Sequence, residues 1–157
     1  MAKLARLLAP QLRTFRPWRK SLRVSLAELK PDAIVTFGPD GGYGHPDHRL
    51  VSAAVTQVVQ AMKEPVRLFY VGFTGDEVKM LNELDPGVQW HSTNPDYLSV
   101  QIKVTKADQM NALHSLQCHK SQFDPAEMKK LATLVEGRPV VWFRPWFAAR
   151  SSDDLFR

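Results

Sequence analysis

A glycine-rich loop followed by two closely spaced histidines is the part of this 157-residue chain best suited to chemistry. Residues 37–48 read Phe-Gly-Pro-Asp-Gly-Gly-Tyr-Gly-His-Pro-Asp-His. On a first helical turn, the spacing of His45 and His48 directs both imidazoles to one side. Neutral imidazole is a metal ligand, and a neighbouring carboxylate such as Asp47 raises its basicity. Singly these histidines suit an exposed turn, but together with the glycines and Tyr43 they indicate a functional site.

The elements around this loop place it where α/β proteins bind ligands. Residues 32–38 are a short β-branched run ended by glycine, which predicts a buried strand. Residues 46–62 carry apolar side chains at helical spacing, which predicts an amphipathic helix with a proline at its first position. The carboxyl end of a strand leading into a helix is the usual binding edge of such sheets. The Gly-x-Gly-x-x-Gly pattern of dinucleotide-binding loops is not found here.

The rest of the chain alternates helices and strands. This alternation predicts a single α/β domain over residues 1–157 with a mostly parallel sheet. The predicted helix over 106–122 follows a Thr-x-x-Asp capping box and should bury Met110, Leu113 and Leu116. The other strands are predicted at 66–73, 98–104 and 140–143, and the other helices at 21–29, 76–83 and 125–135.

Basic charge is concentrated near the N-terminus. The chain has a net charge of +5, and residues 1–30 hold eight basic side chains against one acidic side chain. A solvated helical face explains this best. A basic arm that contacts nucleic acid or phosphate is less favoured because no nucleic-acid-binding motif accompanies it. Pro10 and Pro17 argue against an organelle transit peptide.

Cysteine content and hydropathy indicate the cellular compartment in which the protein is expected. Cys118 is the single cysteine, which excludes a disulfide framework and a cysteine-based zinc site. No apolar run approaches the roughly 20 residues of a membrane span. We therefore expect a cytoplasmic protein without a membrane span.

Residues 31–49 resemble the PIG-L/LmbE-like family of zinc-dependent N-deacetylases, which remove acetyl groups from N-acetylglucosamine conjugates. They read Pro-Asp-Ala-Ile-Val-Thr-Phe-Gly-Pro-Asp-Gly-Gly-Tyr-Gly-His-Pro-Asp-His-Arg. Residues 112–122 look like the family's His-x-Ser-Gln helix. The resemblance implies a Rossmann-like three-layer α/β/α fold over residues 31–150, preceded by a basic helical segment at 1–30. It also implies zinc-assisted amide hydrolysis of a small N-acetylated sugar conjugate.

The resemblance also implies roles for matching residues. His48 would be a zinc ligand. His45 would act as general acid or as stabiliser of the tetrahedral oxyanion, and Asp47 would orient it. Tyr43 would hydrogen-bond the same oxyanion. The residues implied to support the site or lie near the substrate are Asp40, Gly41, Gly42, His119 and Gln122.

One family motif is not found in this sequence. The His-Pro-Asp-Asp-Glu motif supplies two zinc ligands and the general base, whereas a catalytic zinc takes three protein ligands. His91 or His114 could substitute, but their spacing does not support it. The resemblance thus predicts that the first βα units are lacking, that the first strand has an exposed edge, and that this chain binds zinc weakly with little activity. A non-catalytic remnant that binds a sugar or a partner, and a basic-arm binder, remain alternatives.

Overall fold

Four strands form one mixed sheet in the order β1–β2–β4–β3. The structure is a computed structural model, and it describes residues 17–119, 121 and 123–146. Strand β1 pairs with β2 in parallel, whereas β4 runs antiparallel to both β2 and β3. The α/β class is confirmed, but the prediction of a mostly parallel sheet is wrong, since one of these three pairings is parallel. The strands are β1 Ala33–Thr36, β2 Arg67–Gly72, β3 Val100–Lys103 and β4 Val140–Pro145.

The direction of β4 follows from the two helices that precede it, α5 (Lys106–Gln117) and α6 (Pro125–Glu136). A single helix between two strands returns the chain to the end of the sheet where the first strand began, so the two strands run parallel. A second helix brings the chain back to the end where the first strand stopped, so the two strands run antiparallel. Val140 therefore begins β4 beside Lys103, the last residue of β3. Both helices are predicted from the sequence, at 106–122 and 125–135, but the prediction of a mostly parallel sheet treats helices and strands as simply alternating.

The remaining helices occur largely where the sequence predicts them. A helix, α1, covers the described residues 17–29, so it includes the predicted segment 21–29. The rest of the basic N-terminal segment, residues 1–16, lies outside the described residues. The helix predicted over 46–62 ends at Val59. The other helical elements are α3 Pro46–Val59, α4 Gly75–Leu84 and a 3₁₀ turn Pro95–Tyr97. The short segment α2, Gly41–Gly44, is a turn whose backbone angles are not helical at Gly42 and Tyr43.

The core lies between α3 and one face of the sheet. Val55 and Val59 of α3 pack with Leu68 and Tyr70 of β2. Full burial of one such aliphatic side chain contributes about 1.5–3 kcal/mol. This packing fixes α3 on the sheet and with it the loop that joins β1 to α3. The partly buried side chains around this core are Leu22, Ile34, Val51, Met62 and Val66.

The opposite face of the sheet is apolar but only partly covered. Val35 pairs with Phe69 and Val71 pairs with Phe143, and cross-strand partners point to the same side. The exposed fractions are 55% for Val35 and 53% for Ile102. A three-layer arrangement would bury these side chains beneath further helices, so it is not confirmed. β1 lies at one edge of the described sheet, as predicted.

Helix α5 packs differently from the prediction. Met110 is 58% exposed, and Leu113 and Leu116 are only partly buried. The buried residue is instead Gln109, whose amide donates hydrogen bonds to the carbonyls of Val135 and Glu136. These carbonyls end α6 and lack partners within that helix, so α5 faces α6 with a polar side chain. None of the described helices has the length and apolar character of a bilayer span.

Candidate functional site

The loop between β1 and α3 is a tight turn that requires glycine. The φ angles of Gly41, Gly42 and Gly44 are 72°, 79° and 81°, a left-handed region that glycine enters without steric cost. The Gly41 N–H donates to the carbonyl of Gly38 at 3.0 Å. The Gly42 N–H donates to Oδ2 of Asp40 at 2.9 Å. Asp40 and the glycines therefore shape the turn, and a direct contact with substrate stays a prediction.

His48 is held in one orientation by two contacts. Its Nδ1 lies 3.1 Å from the carbonyl oxygen of Gly41. Because a carbonyl only accepts, Nδ1 carries the proton and Nε2 keeps its lone pair. The ring also stacks on Phe37, with centroids 3.8 Å apart and planes inclined by 4°. This is the pattern of a metal-binding histidine, in which a backbone carbonyl fixes the tautomer.

His45 has the opposite hydrogen-bonding pattern. It is the N-cap of α3, and its Nδ1 accepts from the backbone N–H of Asp47 at 3.2 Å. In the neutral ring the proton is therefore on Nε2. The His45 and His48 ring centroids are 4.6 Å apart, which confirms that both imidazoles lie on one side. Asp47 makes its contact through the backbone, so an orienting role for its carboxylate stays a prediction.

Tyr43 completes a cluster with the two histidines. Its ring lies edge-on to both, with centroids 5.7 Å from His45 and 5.3 Å from His48. The predicted group at the carboxyl end of β1 also includes Asp47; the grouping is confirmed for Tyr43, His45 and His48 and stays a prediction for the Asp47 carboxylate. A neutral Nε2–H donor, a phenol and a free imidazole lone pair thus lie close together on one turn. Donors of this kind stabilise negative charge that develops on a carbonyl oxygen.

Trp90 packs against Tyr43 and Gly42 of the loop, a contact that was not predicted from the sequence. Its ring lies 4.8 Å from Tyr43 and 5.1 Å from Phe73. The backbone N–H of Trp90 donates to Oδ1 of Asn82 at 2.8 Å. The backbone N–H of the next residue, His91, donates to the Gly42 carbonyl at 3.0 Å. The only sequence signal was a large aromatic residue within a polar, turn-rich stretch. Phe37, the stacking partner of His48, was likewise not singled out.

The described contacts do not join His119 to this cluster. His119 is exposed after the end of α5, and its described hydrogen bond is a backbone one to Leu116. No described contact links it to the glycine loop, so its role stays a prediction. Gln122 lies outside the described residues. His114 is exposed on α5, and His91 approaches the loop through its backbone.

The zinc ion that the resemblance implies needs several donor side chains at one place. Within residues 17–119, 121 and 123–146, no three His, Cys, Asp or Glu side chains converge closely enough to hold a metal ion. A catalytic zinc takes three protein ligands. His48 offers one lone pair, while the Nδ1 of His45 already accepts a backbone hydrogen bond. The described residues therefore do not fit a catalytic zinc by themselves.

An open cleft of about 1430 Å³ adjoins the loop, between α3 and β4. Its lining includes Pro39 and Pro46, the chain neighbours of Asp40 and His45. The position of the glycine loop at the end of a strand predicts that it forms the floor of an open cleft, but its glycines are not among the residues that line this cleft. The reason is that the turn buries Gly41 and Gly42 beneath α3 and Trp90.

Curated relatives share segments with this chain. The 1D-myo-inositol 2-acetamido-2-deoxy-alpha-D-glucopyranoside deacetylase of Corynebacterium glutamicum (strain R) is 66% identical over 29 residues, 18% of this chain and 10% of the relative. Proteins of the same name from Corynebacterium urealyticum and Mycolicibacterium gilvum are 37% identical over 79 residues and 42% identical over 55 residues. These cover 39% and 35% of this chain, and 24% and 19% of the relatives.

The similarity therefore covers only a part of each relative. The chain spans at most about a quarter of the length of the relatives named above. No protein-family model matches it. Over the shared segments, the chain is similar to deacetylases named for an N-acetylglucosamine–inositol conjugate.

Proposed function

We propose that this chain carries part of the active site of an N-deacetylase acting on a small N-acetylglucosamine conjugate. The observation that carries the proposal is the cluster of Tyr43, His45 and His48 on the turn after β1. The names of the relatives support the reaction and the substrate class. The proposed reaction is hydrolysis of the acetyl amide.

His45 and Tyr43 are suited to stabilise the oxyanion. When water adds to the acetyl carbonyl, its oxygen gains negative charge. The Nε2–H of His45 and the hydroxyl of Tyr43 are the donors available for it, and one such donor is worth about 10²–10³ in rate. Protonation of His45 at Nδ1 would remove the acceptor used by the Asp47 N–H. The geometry thus favours His45 as an oxyanion donor over a general acid.

His48 is suited to a different task. Its fixed Nε2 lone pair could serve as one ligand of a zinc ion, with the other ligands supplied from outside the described residues. None of the residues assigned here takes the proton from the attacking water. The described donors do not fit the metal alone.

A non-catalytic sugar-binding remnant is the second candidate. The observation that favours it is the lack of a three-ligand metal group among the described residues. In that case the same cluster and cleft would bind an N-acetylated sugar without hydrolysing it.

The experiment compares the purified unsubstituted chain with three variants in the presence of zinc. Amine release from N-acetylglucosaminyl-inositol is measured for the unsubstituted protein, His45→Gln and His48→Gln. His114→Gln is the matched control, because His114 is exposed on α5, away from the cluster. We expect His45→Gln to lower the rate by about 10²–10³ and His114→Gln to leave it unchanged.

Two other results discriminate the candidates. Equal rates for His45→Gln and His114→Gln would refute the proposed role of the cluster. If the unsubstituted chain releases no amine, binding of N-acetylglucosamine is followed by NMR. Saturable binding that His45→Gln weakens would support the remnant, and no binding would contradict both candidates.

A further inference from the structure

Arg144 places a partly buried positive charge on a strand inside the sheet. It lies on β4 directly opposite Tyr70 of β2, and its guanidinium carbon is 5.1 Å from the centre of the Tyr70 ring. Tyr70 is a fixed platform, since it is 4% exposed and its hydroxyl hydrogen-bonds Thr56 at 2.7 Å. A Cβ at Gly38 would be 3.9 Å from Nη2 of Arg144. The side chain therefore extends across β2 to the loop that follows β1.

This charge has no acidic partner within the part of the chain that the structure describes. The ion pair found there joins Arg138 to Glu77, and no carboxylate oxygen lies within 4.0 Å of the Arg144 guanidinium. Oδ1 of Asp40 and Nη2 of Arg144 both lie near the position that a Cβ would take at Gly38, so the Asp40 carboxylate is a nearby negative charge that does not contact the guanidinium. Its other oxygen accepts from the Gly42 N–H. A partly buried charge without a directly hydrogen-bonded counter-charge is unfavourable. The contact with the Tyr70 ring compensates only part of this cost.

A second arginine faces the same cleft. Arg49 and Arg144 both line it. The stem of Arg49 lies across Gly41, where a Cβ would be 2.8 Å from its Cγ. Asp96 is the acidic side chain among the lining residues, and the hydroxyls of Tyr97 and Ser99 are further donors there. The cleft therefore carries an excess of positive charge next to the glycine loop.

We propose that Arg144 and Arg49 form a binding site for an oxyanion, a phosphate monoester or a carboxylate, in this cleft. Guanidinium groups bind such anions through paired N–H donors in a planar fork. The bound anion would supply the directly paired counter-charge that Arg144 lacks among the described residues. The site itself stands on the contacts of Arg144. Its use rests on the proposed function and would be to hold an anionic group of the conjugate beside His45. This requires a conjugate that carries a phosphate or carboxylate, unlike the uncharged N-acetylglucosaminyl-inositol.

The test measures binding of inorganic phosphate to the full chain by calorimetry at low ionic strength. We expect Arg144→Gln to weaken binding by a factor of about 10 or more, since a charged hydrogen-bonded pair is lost. Arg144→Lys keeps the charge but not the fork, so we expect intermediate affinity. Arg67→Gln is the matched control, because Arg67 lies on β2 and donates to the Asp32 carbonyl. Circular dichroism establishes that each variant is folded.

Several results would overturn the proposal. One is no phosphate binding by the unsubstituted chain. Another is an equal loss in Arg67→Gln and Arg144→Gln, which would indicate general attraction to a chain of net charge +5. If Arg144→Gln does not fold, unchanged phosphate affinity in both Arg144→Lys and Arg49→Gln would overturn the proposal. Titration with acetate in place of phosphate distinguishes the two anion sources. Because no turnover is measured, loss of deacetylase activity alone would leave this result intact.

Discussion

Substituting alanine for Gly42 should destabilise the protein through two separate effects. The φ and ψ of Gly42 are 79° and −61°, a conformation that costs a residue with a Cβ about 1–3 kcal/mol. The added Cβ would also lie 3.2 Å from Cζ3 of Trp90, so the indole must move by a few tenths of an ångström. Overpacking of this kind typically costs about 1–3 kcal/mol. We expect a total loss of about 2–6 kcal/mol in the free energy of unfolding.

Two other glycines separate these effects. Gly44 has a φ of 81° but open space around its Cβ position, so Gly44→Ala should show the backbone cost alone, about 1–2 kcal/mol. Gly75 begins α4 with open space and no positive φ. Gly75→Ala should therefore be neutral or stabilising, by up to about 1 kcal/mol.

The assay is urea unfolding followed by far-UV circular dichroism, with the unfolding slope compared between variants. The expected order of stability is Gly75→Ala, then Gly44→Ala, then Gly42→Ala. Equal stability of Gly42→Ala and Gly44→Ala would show that Trp90 does not pack on the loop. If Gly42→Ala is as stable as Gly75→Ala, the described conformation of the turn is wrong.

Three further predictions concern other contacts. Phe37→Ala should free the His48 ring and give a mixture of its tautomers, seen by ¹⁵N NMR, while Phe37→Leu tests whether volume alone suffices. Val35→Thr, at a position 55% exposed, should change the free energy of unfolding by less than about 0.5 kcal/mol, whereas Leu68→Ala should cost about 2–5 kcal/mol. Equal costs for Val35→Thr and Leu68→Ala would show that the face of the sheet that carries Val35 is covered. Hydrogen bonds from the N-cap threonine of α5 hold the pKa of Asp108 below its ordinary value of 3.8. The stabilisation therefore exists above that value and is lost as pH falls through the lowered pKa. The difference in thermal stability between Asp108→Ala and the unsubstituted chain should shrink in acid, and a constant difference would contradict this.

Features set by neighbouring residues were predictable from the sequence. The Thr105 capping box and the start of α3 at Pro46 depend on residues within one turn, and both occur as predicted. The closeness of His45 and His48 is also local, because it follows from their spacing on one helical turn.

Features set by distant residues were not predictable. Trp90 lies far along the chain from Tyr43, and no local pattern indicates their contact. The burial of Gln109 depends on where α6 ends, so the apolar spacing of α5 alone gave the wrong buried face. The direction of β4 is a different case, because the two helices that set it were predicted at 106–122 and 125–135. The expectation of a mostly parallel sheet was wrong because it treated the elements as simply alternating.

The central claim is that His45 and His48 are prepared for different tasks on one turn. The structure requires opposite neutral tautomers, with the proton on Nε2 in His45 and on Nδ1 in His48. The most direct measurement is long-range ¹H–¹⁵N NMR of the imidazoles at a pH where they are neutral, assigned with His45→Gln and His48→Gln. We predict two different tautomers for this pair. A proton on Nε2 in both rings would contradict the claim, because His48 would then lack the free Nε2 on which its assigned role depends.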